Sequence, residues 1–87
     1  MYYVYVLHSQ KDYLLYVGST KNIKSRVQRH NAGLVPATKF RRPLRLILYE
    51  AYIMKSDAVR RESYFKTTKG KVTLKIMLKD YFRELNK

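Results

Sequence analysis

Two apolar runs open the chain on either side of a polar break. Tyr2-Tyr3-Val4-Tyr5-Val6-Leu7 and Leu14-Leu15-Tyr16-Val17-Gly18-Ser19 are rich in β-branched and aromatic residues, which fit a pleated, half-buried surface. The stretch between them, His8-Ser9-Gln10-Lys11-Asp12, is short enough to connect a hairpin. Side chains alternate between the faces of a strand. Tyr3, Tyr5 and Leu7 therefore share one face of the first strand, and Val4 and Val6 the other. On the second strand Leu14, Tyr16 and Gly18 oppose Leu15 and Val17. The valine and leucine face reads as core. The opposite face sets two phenols beside a glycine, where a backbone or ligand can approach closely. That face suits the floor of a site.

The period then changes to that of a helix. Ile23 and Val27 are four apart, Thr20 or Asn22 is placed to cap the start, and Gly33 to end it, which predicts a helix over residues 22–32. Asn22, Arg26 and His30 form a row beside its apolar stripe. The helix leaves directly from Gly18-Ser19, so this row leans over the tyrosine floor. Residues 33–43 are irregular and basic, with Lys39, Phe40, Arg41 and Arg42 in succession. Such a loop is suited to gripping a nucleic-acid backbone while its ring stacks on a base.

Leu44 to Ile53 reads as a third strand, pairing antiparallel with the hairpin. Lys55-Ser56-Asp57 starts a second helix, with Ser56 as its N-cap. Gly70 interrupts the helical pattern, and Leu74, Met77, Leu78, Tyr81 and Leu85 give the stripe of a third helix over residues 73–85. The expected fold is α+β, a three-stranded antiparallel sheet flanked by helices in the order β-β-α-β-α-α.

Glu62 breaks the pattern of the second helix. On a helical wheel it falls inside the apolar stripe with Ala58 and Phe65, and glutamate is almost never buried unless paired or ligated. Two answers are open: a salt bridge to a neighbour such as Arg26, or a divalent cation.

Composition narrows the class. The 87 residues suit one domain, residues 1–87, with 46% apolar residues to fill its core. Absence of cysteine removes disulfides and thiolate metal sites and fits a reducing compartment. No apolar run approaches the ~20 residues that span a bilayer, and the Met-Tyr-Tyr-Val start lacks a signal-peptide pattern. The expectation is a cytoplasmic protein without a membrane partner. Nineteen Lys and Arg against six acids give a net charge of +13. That excess points to a polyanion, with nucleic acid ahead of an anionic membrane.

Tyr3-Val4-Tyr5, followed ten residues later by Tyr16-Val17-Gly18, resembles the paired signature of the GIY-YIG nuclease superfamily. Arg26, His30-Asn31-Ala32-Gly33, Thr38, Arg42-Pro43 and the segment from Arg60 to Lys66 extend the likeness, in the style of the family's small stand-alone members. Tyr3 and Val4 replace the eponymous Gly and Ile, and Ser19 stands where the repair-nuclease branch has a lysine. No position matches that branch's late asparagine.

The resemblance implies a metal-dependent endonuclease that hydrolyses phosphodiester bonds, in DNA ahead of RNA, in DNA repair or recombination. It makes Tyr16 the base or proton relay, with Tyr5 hydrogen-bonding nearby. It sets Arg26 on the phosphate, brings His30 into the site, and gives Glu62 one Mg²⁺ or Mn²⁺. Gly18 and Ser19, with Lys39, Phe40, Arg41 and Arg42, are the expected nucleic-acid contacts. The alternative is an inactive nucleic-acid-binding module, or a subunit of a larger nuclease complex whose partner protein supplies specificity.

Overall fold

A computed structural model describes residues 1–86, and Lys87, the last residue of the expected domain, lies outside them. Strands β1 (Tyr2–Ser9) and β2 (Leu15–Thr20) form the hairpin, and β3 (Leu44–Tyr52) pairs with the other side of β1. All pairings are antiparallel and the strand order is β2-β1-β3. The helices are α1 (Ile23–Asn31), α2 (Lys55–Phe65), α3 (Thr68–Met77) and α4 (Lys79–Leu85), with a 3₁₀ turn at Lys39–Arg41. The α+β reading holds, with one helix more than expected.

Each face of the sheet has its own core. Val4, Val6 and Val17 pack with Ala58, Phe65 and Leu74 on the side of α2 and α3. Tyr5, Leu7 and Leu44 pack with Tyr16, Ile23, Val27 and Leu46 on the side of α1. A register shift between Val6 and Leu7, where their β3 partners step from Leu48 to Leu46, leaves Ile47 as an extra residue. A bulge of this kind lets two successive residues lean the same way. Ile47 and Leu48 both pack against the valine core.

The helix ends follow local chemistry. Asn22 is the cap of α1, its side chain accepting from Ser25 N at 3.0 Å. Gly33 takes φ +77° and donates to His30 O at 3.2 Å, as a residue closing a helix does. Ser56 is not the cap of α2: the chain turns earlier, and Met54 accepts from Ala58 N through its carbonyl, with no side-chain cap bond. Asp57 stands in the first turn, as expected, and pairs with Arg60 at 3.0 Å.

The expected break at Gly70 is also corrected. Gly70 lies inside α3, whose cap is Thr67, and the interruption falls at Leu78. A β-carbon on Gly70 would collide with the Tyr64 carbonyl and lie 2.6 Å from its carbon. The glycine is there so that α3 can start hard against the end of α2. Beyond Leu78, α4 folds back until Tyr81 OH meets the buried His8 Nδ1 at 2.7 Å.

Helix propensity alone favours alanine over glycine by about 1 kcal/mol, so the close approach makes a prediction of opposite sign. Gly70→Ala is expected to destabilise the fold by about 1–3 kcal/mol, the usual cost of overpacking. Urea unfolding followed by circular dichroism measures it, and a gain in stability would contradict the packing argument.

Candidate active site

The site is built outward from Tyr5. In β1 this residue stands opposite Gly18 of β2, and its ring is buried. A β-carbon on Gly18 would overlap the Tyr5 hydroxyl and lie 2.6 Å from Cζ. Gly18 is itself buried, so its structural task is to leave room for that phenol. A sealed hydroxyl needs partners, and α1 supplies them. Arg26 Nε donates to Tyr5 OH at 3.3 Å, and one turn later His30 Nε2 meets the same oxygen at 2.8 Å. His30 Nδ1 reaches Thr38 Oγ1 at 2.7 Å, which ties the basic loop to the site. With Arg26 donating to the phenol, donor counting assigns the phenol proton to His30 Nε2, and the ring proton to Nδ1 facing Thr38.

Tyr16 completes this face. Its ring centre lies 5.1 Å from that of His30 and 6.4 Å from that of Tyr5. Tyr16 is half-buried where Tyr5 is sealed, so Tyr16 is the phenol that can meet a substrate. Asn22, the first member of the expected row, is occupied in capping the helix.

The electrostatics agree with this division. Burial pushes the Tyr5 phenol above its usual value, more than the Arg26 hydrogen bond lowers it, and the charge of Glu62 adds to the rise. Tyr5 therefore stays protonated. The hydrogen bond to Tyr5 pushes Arg26 further up, so it remains a cation. Burial, then the Arg26 charge, hold His30 down at about 4, and its imidazole is neutral near pH 7.

Glu62 approaches from the opposite face, on α2. Its Oε1 accepts from Ser19 Oγ at 2.8 Å, and its Oε2 pairs with Lys66 Nζ at 2.9 Å. The salt bridge is thus to Lys66, one turn on, and not to Arg26. Glu62 is 20% exposed and Lys66 54%, so the pair opens to solvent on the lysine side. Ser19 and Gly18 are neighbours in β2 whose side-chain positions point to opposite faces. The two halves of the site therefore meet at the edge of this strand.

Among the described residues, no three His, Asp or Glu side chains gather into a ligand set. A single carboxylate still fits Mg²⁺ or Mn²⁺, since magnesium commonly takes one or two carboxylates and completes its shell with water and substrate phosphate. Glu62 has hydrogen-bonded oxygens with lone pairs to spare, and the ammonium now beside it is on a flexible, exposed stem.

The basic loop is more constrained than its composition indicates. Arg41 pairs with Asp12 of the hairpin turn at 2.6 Å and holds that carboxyl down at about 2. Arg42 Nε donates to Lys39 O at 2.8 Å while its guanidinium packs on Gly33. Lys39 and Phe40 are exposed, the ring at 75%. Lys11 joins Lys39, Phe40 and Arg42 around one concavity. Sequence reasoning missed Lys11, the hydroxyl of Thr38 and the part taken by Lys66. Only the last had a local signal, its four-residue spacing from Glu62.

A buried tyrosine, a half-buried tyrosine and an arginine thus lie on one side of β2, with a glutamate on the other. Residues 1–75 match the model of the GIY-YIG catalytic domain, and the chain belongs to that family. Its relatives include a UPF0213 protein of Staphylococcus haemolyticus, 42% identical over 77 residues, covering 87% of this chain and 93% of that one. A UPF0213 protein of Staphylococcus saprophyticus is 38% identical with the same coverage. One of Pediococcus acidilactici is 40% identical over 81 residues, or 87% of this chain and 80% of that one. No solved structure matches. The family's nucleases generally depend on a divalent metal.

The enclosed imidazole sets a pH dependence. The unfolded histidine titrates near 6.5 and the folded one at about 4. Between these values the unfolded chain takes up a proton that folded His30 refuses, so stability falls as pH falls through this window. Urea midpoints at pH 7, 5.5 and 4.5 are expected to drop more steeply for the parent protein than for His30→Gln, and parallel slopes would contradict it.

Proposed function

We propose that this protein is a metal-dependent endonuclease that hydrolyses phosphodiester bonds in nucleic acid, DNA ahead of RNA. The observations that carry the reading are the cluster of Arg26, Tyr5, His30 and Tyr16 on one side of β2 and the Ser19–Glu62 hydrogen bond on the other. Tyr16 takes the proton of the attacking water. The planar Arg26 guanidinium then faces the phosphate, where a fork of donors suits the charge that develops in the transition state. Tyr5 and His30 hold Arg26 and Tyr16 in place, with Thr38 fixing the imidazole.

Glu62, oriented by Ser19, would hold one Mg²⁺ or Mn²⁺, which supplies charge for the leaving oxygen when bound. Lys66 must then release its carboxylate oxygen. Lys39 and Phe40, with Arg42 and Lys11 beside them, grip the backbone away from the cut. Gly18 and Ser19 line the strand edge beneath it, and Arg41 acts there by pinning the loop to Asp12. We further read the protein as cytoplasmic, serving DNA repair or recombination, with a partner protein supplying specificity. Among the described residues no helix is long and apolar enough to cross a membrane.

Tyr16→Phe keeps the ring and removes only the hydroxyl. Cleavage is expected to fall by about 10²–10⁴-fold, as for loss of a general base, with the melting temperature unchanged. Normal turnover by a folded variant would return Tyr16 to a packing role.

Glu62→Gln separates enzyme from binding module. The parent and the variant are incubated with labelled DNA and RNA, single-stranded, duplex and branched, in Mg²⁺, Mn²⁺ or EDTA. The parent is expected to cut only with metal and the variant not at all, while the variant's affinity for the same probes stays equal or rises slightly. Because the Lys66 partner is exposed, losing the pair should cost no more than about 1 kcal/mol. A parent that binds every probe but cuts none would favour the inactive module.

A further inference from the structure

The outer side of β2 opens into an apolar groove whose floor includes Val17, Phe65 and Leu74. Its lining also takes in Tyr16 and Lys66, the residue paired with Glu62, so the groove begins where the candidate active site ends. At its far end stand Tyr13 and Leu14, 68% and 64% exposed. Two further lysines of α3, Lys71 and Lys75, border it and are exposed.

Tyr13 is the odd residue. Its φ is +60°, a conformation that bulky side chains rarely adopt and that Gly or Asn would take at little cost. The hairpin turn needs that backbone geometry, and one edge contact with the His8 ring, 6.1 Å between centres, leaves the Tyr13 ring 68% exposed. The ring adds an apolar surface held out over the mouth of the groove.

An apolar floor, a projecting aromatic and a border of lysines are the parts of a track for unpaired nucleotides. Bases stack on the ring and settle on the apolar surface, while phosphates face the ammonium groups. A duplex has its bases paired and stacked inside and offers the groove only its charged rim. We propose that this groove binds a single-stranded segment of the substrate, running from the scissile phosphate at Tyr16 past Lys71 and Lys75 to Tyr13. The inference deepens the nuclease reading, on which its link to Tyr16 rests.

The test is binding without cleavage. In EDTA, fluorescence anisotropy compares a labelled 15-nucleotide oligothymidine with a 15-base-pair duplex, for the parent, Tyr13→Asn and the double variant Lys71→Gln, Lys75→Gln. Asparagine tolerates the left-handed turn, so Tyr13→Asn removes the ring and keeps the hairpin, which circular dichroism and melting confirm. Each variant is expected to weaken oligothymidine binding about tenfold and duplex binding less than twofold. Equal losses on both probes, or no loss on oligothymidine, would overturn the proposal. So would a peptide of alternating Leu and Glu that loses affinity in these variants while oligothymidine does not, since the groove would then belong to an acidic protein partner. Cleavage with metal is scored separately: a protein that cuts but shows no groove effect loses this inference and keeps the nuclease reading, whereas one that shows the groove effect but does not cut keeps the single-strand groove and loses the nuclease reading together with the scissile phosphate at Tyr16.

Discussion

One sealed hydroxyl organises the site. The Tyr5 phenol is shut away from water between β1, β2 and α1, and an enclosed hydroxyl without partners is costly. Its partners are Arg26 at 3.3 Å and His30 at 2.8 Å, one turn apart on α1. Meeting both fixes the rotation of that helix over the sheet. His30 passes the constraint on to Thr38, and so to the loop before β3. On the other side the phenol excludes any side chain at position 18. A strand, a helix and a loop far apart in sequence are thus registered against one oxygen. The tyrosine that does this is the sealed one, and the half-buried Tyr16 stands beside it.

Much of this was legible before the fold was known. The alternation around Val4 and Val6 gave the core face against α2 and α3 but not the second core on the tyrosine face, and the spacing of Ile23, Val27 and Gly33 gave the first helix nearly to the residue. Tyr5, Tyr16, Arg26, His30 and Glu62 were singled out by the family resemblance, and the structure brings the first four together. What local pattern could not reveal was tertiary. Gly70 looks like a helix breaker in sequence, and only the Tyr64 carbonyl beside it explains why it sits within a helix. Arg41 reads as one of three loop cations until Asp12, 29 residues away in the chain, claims it. For Glu62, the wheel located the residue correctly and left its partner open. The partner is Lys66, the residue that closes the same helix, while the guanidinium of Arg26 is turned toward Tyr5.

The sheet explains why the halves of the site come from different layers. With order β2-β1-β3, the central strand is covered on both sides, by α1 on one face and by α2 with α3 on the other. Groups from the two layers can meet only around an edge. At β2 they do: Gly18 faces the tyrosine side, and Ser19, the next residue, faces Glu62. A one-residue slip of β2 would exchange these faces, moving a hydroxyl under Tyr5 and removing the donor from Glu62. The alternation of a single strand therefore determines both halves at once.

The distribution of acids gives the excess of positive charge its meaning. Ion pairs among the described residues join Asp12 with Arg41, Glu50 with Arg61, Asp57 with Arg60, Glu62 with Lys66, and Asp80 with Arg83. Two of these pairs lock architecture. Asp12 joins the hairpin turn to the basic loop. Glu50, lowered despite its burial by hydrogen bonds from Arg61 and Tyr52, joins β3 to α2, and the Arg61 guanidinium lies 4.3 Å from the centre of the Phe65 ring. Acids spent on holding the structure neutralise few of the nineteen cations, so the rest act together as an unbalanced field. Glu62 differs from the other two because its lysine is the more exposed partner and can leave. In the enzyme proposed above, an entering phosphate would draw that ammonium away and leave the carboxylate free to hold a cation.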